Sequence, residues 1–380
     1  MKLEVIPPSS WQEIFPDWEA LLKAAVEPTI FLSPCWISSW WHQFGKGKRP
    51  CMVAGWDESR HLCALAPLYF EDMHLGGVWG RPLALRFMGD SGVGSEYLGL
   101  LVCPGDEEKF LRALSEGLRG QWTLADLHGL EEDGALPSTI ESTLGTSRRI
   151  YREILPCSRI LLPGDYESYL ASLPQKFRRN IRSRTNKLVK NFRVNLLRTT
   201  REAEIAPHLE RFFAMHQARW TAKGHLGSFH DLRKRAFYQE VSVGLLERGC
   251  LRFYHLEVDG VIRASQFGFV FDGRLHSLEE AFDQEFHPVG VGGVGVVLRA
   301  MAIKECISEG LKGYDFLGGT EPFKTRWNTI THHTRRVRIG APGLKGAVAF
   351  SVPVGVLKAK NWGRKRLPTW LLKLRRQLHA

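Results

Sequence analysis

Residues 275–327 read LHSLEEAFDQEFHPVGVGGVGVVLRAMAIKECISEGLKGYDFLGGTEPFKTRW. The pattern predicts a strand (LHSLEEAFD), a glycine-rich loop (HPVGVGGVG), a helix (VVLRAMAIKECISEG) and a short strand (GYDFLG), followed by EPFKTRW. The residues of the loop expected to contact a ligand are Gly290, Gly292, Gly293, Val294 and Gly295. Glycine lets the backbone turn tightly and approach a ligand, and free N–H groups at a helix start attract anions. The stretch therefore predicts a site for a phosphate-bearing cofactor or substrate.

A structural interpretation of the same loop stays open, because the glycines can also serve only to permit a turn and close helix packing. Neither of the best-known phosphate motifs is present, since the loop has no GK[ST] and no GxGxxG after a first strand. The position between strand and helix favours phosphate binding.

The length of 380 residues predicts two domains, and 44% hydrophobic with 24% charged residues is typical of a globular protein. No apolar run is long enough to span a bilayer, and the N-terminal MKLEVIPPSS has no signal-peptide core. We therefore expect a cytoplasmic protein. The seven cysteines are scattered without a CxxC pair or zinc spacing, which predicts reduced, mostly buried thiols.

The net charge of +12 comes from two segments without acidic residues, 176–193 and 341–380, and the rest of the chain is net acidic. The first is expected to be a solvated helix, or else to contact an acidic glycan or lipid headgroups. Its few aromatics argue against a binding platform for single-stranded nucleic acid. The second ends in WLLKLRRQLHA, a cationic amphipathic pattern. That tail is expected either to lie peripherally on an anionic inner membrane face, to dock on the protein itself or to be disordered.

Strand and helix signals predict three parts: an N-terminal domain (1–152), a C-terminal domain (153–340) and the basic amphipathic tail (341–380). In the second part the order is strand, two helical regions around another strand, three strands, loop, helix and strand. Asp-Gly turns at 259–260 and 272–273 between alternating apolar runs are strong hairpin signals. The fold class is therefore α/β (α+β).

Several segments resemble the acetyltransferase domain of the GNAT superfamily, in CelD-like and FemAB-like (BioF2-like) proteins. They are LPQKFRRNIRSRTNKL (173–188), MHQARWTAKGHLGSF (215–229), LEVDGVIRASQFGF (256–269) and GYDFLGGTEPFKTRW (313–327), with FLSPCWISSWWHQF (31–44) and ALAPLYF (64–70) in the N-terminal half. The resemblance implies two GNAT-like domains in tandem, each a mixed, mostly antiparallel central sheet flanked by helices. The second would hold the acyl donor.

The same resemblance implies transfer of an acyl group from acyl-CoA, acetyl or longer, to an amine of a sugar or cell-envelope polysaccharide precursor. The FemAB branch instead uses aminoacyl-tRNA to extend peptidoglycan peptides, which is one alternative and the only one that involves a nucleic acid. The chain departs from the usual GNAT loop, because no Arg or Gln precedes the glycines in register. A non-catalytic partner in polysaccharide assembly is a further alternative.

Three residues are candidates for catalysis: Lys324, Glu321 and Glu280. The FK lysine of FemAB-like enzymes corresponds to Lys324, and a cation there would stabilise charge on the transferring carbonyl; a solvated loop lysine is the alternative. Glu280 follows Glu279 on the strand where many GNAT enzymes carry a base, although surface salt bridges are the favoured interpretation for both. Alternation puts the two on opposite faces.

Four residues are candidates for substrate binding: His216, Arg219, Trp220 and Asp315. The first three share a predicted helix face by their i, i+3, i+4 spacing, with core packing as the alternative for Trp220 and for His216. Asp315 alternates with aromatics on a buried strand, and there we favour a structural partner. The pair His332-His333 lacks further ligands, so no metal is expected.

Overall fold

The computed structural model describes residues 1–73, 82–145 and 149–352, which divide into two compact units. One unit comprises Met1–Leu155 with the described residues from His333 onward, and the other comprises Pro156–His332. The sequence placed 333–340 in the second domain, whereas these residues pack in the first unit.

The first unit has a mixed sheet. In chain order its elements are β1 (Lys2–Ile6), α1 (Phe15–Ala24), α2 (Pro34–Phe44), β2 (Arg49–Trp56), β3 (Leu62–Asp72), β4 (Leu83–Phe87), β5 (Leu101–Val102), α3 (Glu107–Gly117), β6 (Leu124–Glu131), α4 (Leu136–Leu144), the first half of β7 (Ile150–Leu161) and most of β13 (Ile330–Gly340). A further helix begins at residue 343. The strand order is β1-β2-β3-β4-β6-β13, with β5 beside β3, and only β4 and β6 are parallel among these described pairs.

The second unit has the same kind of sheet. Its elements are the second half of β7, α5 (Tyr166–Ser172), α6 (Gln175–Asn191), β8 (Val194–Arg198), α7 (Glu202–Thr221), α8 (Leu232–Glu247), β9 (Leu251–Val258), β10 (Val261–Phe271), β11 (Arg274–Phe282), α9 (Gly295–Ser308), β12 (Gly313–Gly318) and α10 (Pro322–Thr325). The strand order is β7-β12-β11-β10-β9-β8, with β11 and β12 parallel and the other described pairs antiparallel. The predicted fold class, mixed and mostly antiparallel sheets flanked by helices, is confirmed.

The local signals explain much of the second unit. Asp259 and Gly260 have φ of 49° and 80°, and Asp272 and Gly273 have 46° and 67°, so both two-residue turns take the left-handed conformations that tight hairpins require. The sequence over 166–192 has a helical pattern with a proline at 174, and the structure divides it there into α5 and α6, because proline fixes φ and lacks an N–H. In the first unit, by contrast, residues 97–102 have a strand pattern, but only Leu101–Val102 form a strand.

The helices lie on both faces of the second sheet. Helices α5, α6 and α9 cover one face over a core that includes Ile181, Leu188 and Trp327, and α7 and α8 pack on the strands from the other side. The glycine-rich loop contributes Val291 and Val294 to the core beneath α5, α6 and α9. The tail signals at 353–380 lie outside the described residues. No helix in the described part of the chain has the length and apolarity that a bilayer span requires.

A buried histidine on β9 makes the stability of this unit depend on pH. His255 is fully buried, its Nδ1 and Nε2 lie 2.8 and 3.0 Å from the hydroxyls of Ser265 and Thr199, and burial lowers its pKa to about 3. The unfolded chain binds a proton below its ordinary pKa of about 6.5 while the folded chain does not. The contribution of His255 to the free energy of unfolding is therefore fully present above about pH 6.5 and is lost as the pH falls from about 6.5 towards 3.

We expect the free energy of unfolding to fall by about 2 kcal/mol more in the wild type than in His255→Gln between pH 7.5 and pH 5. Urea unfolding at both pH values measures the difference, and His287→Gln, at an exposed position, is the control that behaves as wild type. An equal fall in the wild type and His255→Gln would contradict this origin of the pH dependence.

Candidate active site

Two neighbouring parallel strands diverge in the second unit. β11 and β12 are paired at three positions, Arg274 with Gly313, Leu275 with Tyr314 and His276 with Asp315. Both strands continue beyond these pairs, to Phe282 and Gly318. On the β10 side, Phe267 faces Glu279 while Gly268 faces Ser277, so β11 carries one extra residue and bends there. The two diverging edges present backbone N–H and C=O groups that this ladder does not use.

The end of β12 is held in an unusual backbone conformation. Leu317 has φ of 59° although it is buried and branched, a conformation that L-residues avoid. The N–H of Leu317 donates to Asp315 Oδ1 at 2.7 Å. Non-glycine residues in this region persist where the surroundings hold them, and they cluster at functional sites.

Lys324 fixes the same bend from the other side. Its Nζ donates to the carbonyl oxygens of Phe316 at 3.2 Å, Gly318 and Gly319 at 3.5 Å, and lies 3.0 Å from Glu321 Oε2. The Lys324 side chain is 8% exposed, whereas that of Glu321 is 53% exposed. Lys324 and Asp315 therefore position the end of β12, which fits the structural role favoured for Asp315. A direct contact of Lys324 or Glu321 with substrate stays a prediction.

The glycine-rich loop alternates between the core and solvent. Val291 and Val294 are buried, whereas Gly290, Gly292 and Gly293 are exposed. Positive φ values of 73° at Gly290 and 65° at Gly292 explain glycine at these two positions. At Gly295 the reason is space, because a Cβ there would lie 2.4 Å from the Phe282 ring. No side chain caps the start of α9, so its first N–H groups face an accessible loop.

Two cations of the basic helix α6 lie against this loop. Arg184 Nη1 donates to Gly293 O at 3.4 Å, and a Cβ on Gly290 would lie 2.8 Å from Lys187 Nζ. Neither cation has a carboxylate partner in the described part of the chain. The interpretation of residues 176–193 as a purely solvated helix is therefore incomplete. The loop, the uncapped start of α9 and these two cations together concentrate positive charge at one place, and binding of an anion there stays a prediction.

The two glutamates on β11 point to opposite faces, as strand alternation predicts. Glu280 pairs with the buried Arg299 of α9, through Nε at 3.0 Å and through Nη2. Glu279 lies 3.0 Å from Lys234 Nζ of α8 and 4.0 Å from His216 Nε2 of α7. The salt-bridge interpretation fits both contacts. Since the guanidinium of Arg299 engages both oxygens of Glu280, that carboxylate is poorly placed to accept a proton, and Glu279 is the better candidate.

The three α7 residues occupy related positions. Trp220 Nε1 donates to His216 Nε2 at 3.0 Å, which leaves the proton of a neutral imidazole on Nδ1. Burial lowers the pKa of His216 and so favours the neutral ring. Arg219 lies over the Phe282 ring at 5.5 Å, next to the start of α9. His216 therefore borders Glu279, Trp220 contacts His216, and Arg219 reaches Phe282, whose ring lies beside Gly295. Binding of substrate by these residues stays a prediction.

Sequence reasoning missed Arg184, Lys187 and Lys234 as members of the site. Arg184 and Lys187 stood inside a charge run with no local feature to distinguish them, and Lys234 reaches Glu279 only through tertiary packing. Among the described residues no group of three or more histidine, cysteine or acidic side chains is arranged to hold a metal ion.

We expect Lys324→Met to destabilise the second unit by about 1–3 kcal/mol, because the carbonyls around Leu317 lose a buried charged donor. Lys324→Arg should recover part of this loss. Chemical unfolding gives the values, with Lys176→Met on the exposed surface of α6 as the control. A Lys324→Met variant as stable as the control would show that the lysine does not hold the end of β12.

Comparison with known proteins agrees with this geometry. Residues 175–325 match the family model for the acetyltransferase (GNAT) domain. Similar solved structures include FemX (TM-score 0.58, 12% identity, 89% of this chain and 97% of FemX) and a conserved protein of unknown function from Bacteroides thetaiotaomicron (0.58, 15%, 90% and 99%). Another is the C-terminal domain of a putative lysylphosphatidylglycerol synthetase from Agrobacterium fabrum (0.53, 12%, 92% and 97%). No curated protein shows a significant match.

At these identities the solved structures establish the fold alone, and they do so over most of the chain. The domain match covers β11, the glycine-rich loop, α9 and β12, where the diverging strands lie. Residues 175–325 therefore match the acetyltransferase (GNAT) domain, and the chain shares its fold with FemX.

Proposed function

We propose that the unit Pro156–His332 transfers an acyl group from acyl-CoA to an amine. The observation that carries this proposal is the convergence of the exposed glycine loop, the uncapped start of α9 and the unpaired Arg184 and Lys187 beside two diverging strands. A diphosphate needs such a set of N–H donors and cations. The thioester would then extend into the gap between β11 and β12.

The reaction needs a neutral amine, a positioned carbonyl and stabilisation of the developing oxyanion. The amine nitrogen attacks the thioester carbonyl, the C–S bond breaks, and the thiolate of CoA leaves. The amine proton passes to Glu279 or to water and then to the thiolate. Backbone N–H groups on the diverging edges supply oxyanion donors, and the bend at Leu317, held by Asp315 and Lys324, fixes where those edges lie.

The acceptor is the less constrained part of the proposal. An amine of a sugar or of a cell-envelope polysaccharide precursor follows from the resemblance to CelD-like and FemAB-like proteins. One similar structure belongs to a putative lysylphosphatidylglycerol synthetase, whose name also refers to an envelope component. His216, Arg219 and Trp220 are the proposed lining of the acceptor pocket. A cytoplasmic location, peripheral at the inner membrane face through the tail, is part of the same proposal.

We expect Arg184→Gln and Lys187→Gln each to weaken binding of acetyl-CoA or a longer acyl-CoA roughly tenfold, because each removes a charged contact to phosphate. Isothermal titration calorimetry measures the affinity. Lys176→Gln, on the same helix but without a described contact to the loop, is the matched control and should bind as wild type. Gly292→Ala, at φ of 65°, should also weaken binding, whereas Gly293→Ala has open space and should not.

No affinity of the wild type for any CoA thioester would overturn the choice of donor. It would leave the non-catalytic role in polysaccharide assembly as the remaining interpretation if aminoacyl-tRNA also failed to bind.

One observation favours aminoacyl-tRNA as a second candidate donor. The exposed Lys176, Arg179, Lys187 and Lys190 have no described acidic partner, and their spacing places them on one side of α6. A row of unpaired cations beside the loop suits an extended phosphate backbone better than one diphosphate.

If tRNA is the donor, Lys176→Gln and Arg179→Gln should weaken its binding as much as Lys187→Gln does, and affinity should fall steeply between 50 and 200 mM salt, by about 10³-fold if some six phosphates are contacted. Filter binding with charged tRNA at several salt concentrations tests this. Salt-insensitive binding, unchanged in the Lys176→Gln variant, would exclude the tRNA interpretation.

A further inference from the structure

Two cysteines far apart in the sequence lie opposite each other in the first unit. β3 and β5 are antiparallel with Ala64 facing Val102 and Leu65 facing Leu101. The next position along this register brings Cys63 opposite Cys103, and the N–H of Cys103 donates to the carbonyl oxygen of Cys63 at 2.8 Å. The sequence predicted scattered thiols because no short spacing links the two residues.

The geometry of this pair suits a covalent bond between the sulfurs. Directly opposed residues in an antiparallel pair have Cα atoms about 4.5–5.5 Å apart, within the range of roughly 4.4–6.8 Å seen in disulfides. Each thiol contributes to the electrostatic environment of the other, so the two side chains lie close together, and the Cys63 thiol donates to the carbonyl oxygen of His61 at 3.5 Å. Both cysteines are free and partly exposed, and a small oxidant therefore has access to them.

We propose that Cys63 and Cys103 form a reversible disulfide and are a redox modification site of this protein. The proposal is independent of the acyl-transfer function, because it concerns a different unit and different residues. Of the other cysteines, Cys51, Cys157 and Cys306 are buried in the core, where inert thiols are expected.

The oxidant that we name is a small disulfide such as oxidised glutathione. The thiolate of one cysteine attacks a glutathione sulfur, the S–S bond of glutathione breaks, and one glutathione leaves with a proton. The thiolate of the second cysteine then attacks the cysteine sulfur of this mixed disulfide. The bond from that sulfur to glutathione breaks, the Cys63–Cys103 bond forms, and the second glutathione leaves with the second proton. Two electrons pass from the cysteines to glutathione, and a dithiol reductant reverses both steps.

The surroundings of the pair set its reactivity. Partial burial raises the pKa of both thiols, and the carboxylates of Asp57 and Asp106 raise them further. Since the thiolate is the attacking species, we expect the oxidation to be slow at neutral pH and to accelerate as pH rises towards 9. This behaviour separates the pair from a cysteine with a lowered pKa.

The test uses the reduced full-length protein, incubated with oxidised glutathione, alkylated under denaturing conditions and digested with trypsin without reduction. Cleavage after Arg86 separates the two cysteines. We expect a linked pair of peptides containing Cys63 and Cys103, a loss of two hydrogen atoms from the intact mass, and disappearance of the link with dithiothreitol. Cys63→Ser and Cys103→Ser should abolish the link, whereas Cys35→Ser and Cys250→Ser, at the other partly exposed cysteines, should retain it.

Alkylation of both Cys63 and Cys103 after oxidation would overturn the proposal, as would a persistent glutathione adduct on each or a link from either to another cysteine. Because the peptides come from the wild type, this result does not depend on whether the serine variants fold.

Discussion

The bend at Leu317 is the constraint on which the candidate site depends. A parallel strand pair that continued to its full length would close the space between β11 and β12 with ladder hydrogen bonds. Instead, the pairing ends after Asp315, and Leu317 adopts the left-handed conformation, which persists in a non-glycine residue only where its surroundings hold it. Asp315 accepts a hydrogen bond from the N–H of Leu317, and Lys324 donates to the carbonyl oxygens around it. Two charged side chains thus supply the hydrogen bonds that a paired strand would otherwise supply.

The two faces of the sheet in this unit differ in how their charged side chains are paired. On the α9 face, Glu280 is matched with Arg299, which lies 5.2–5.6 Å from the rings of Phe316, Phe323 and Trp327. On the α7 and α8 face, Glu279 has looser contacts and greater exposure. At the end of the sheet, the cations of α6 reach the glycine loop. The positive charge thus lies where phosphate would bind, and the less constrained carboxylate lies beside the proposed path of the amine.

The sequence predicted those parts of the fold that have short-range causes. The Asp-Gly turns, the break at Pro174 and the strand–loop–helix unit each follow from local backbone preferences, and the structure has them where expected. The failures are non-local. Strand β13 was not recognised, because its run of histidines and arginines lacks a strand pattern until partners such as Glu132 and Asp126 are known. The role of α6 at the loop and the pairing of Glu280 likewise depend on contacts more than a helix turn away in sequence.

The course of the chain through the first unit has a consequence for biosynthesis. Strand β6 lies between β4 and β13, and β13 follows the whole of the second unit in the sequence. A nascent chain therefore exposes one edge of β6 until about 200 further residues have left the ribosome, counted from the end of β6 to that of β13. During this interval the edge of β6 in the first unit stays unpaired, and an unpaired strand edge is a surface that chaperones bind or that pairs with another chain. The later unit, which is continuous, can complete its sheet from β8 to β12 first.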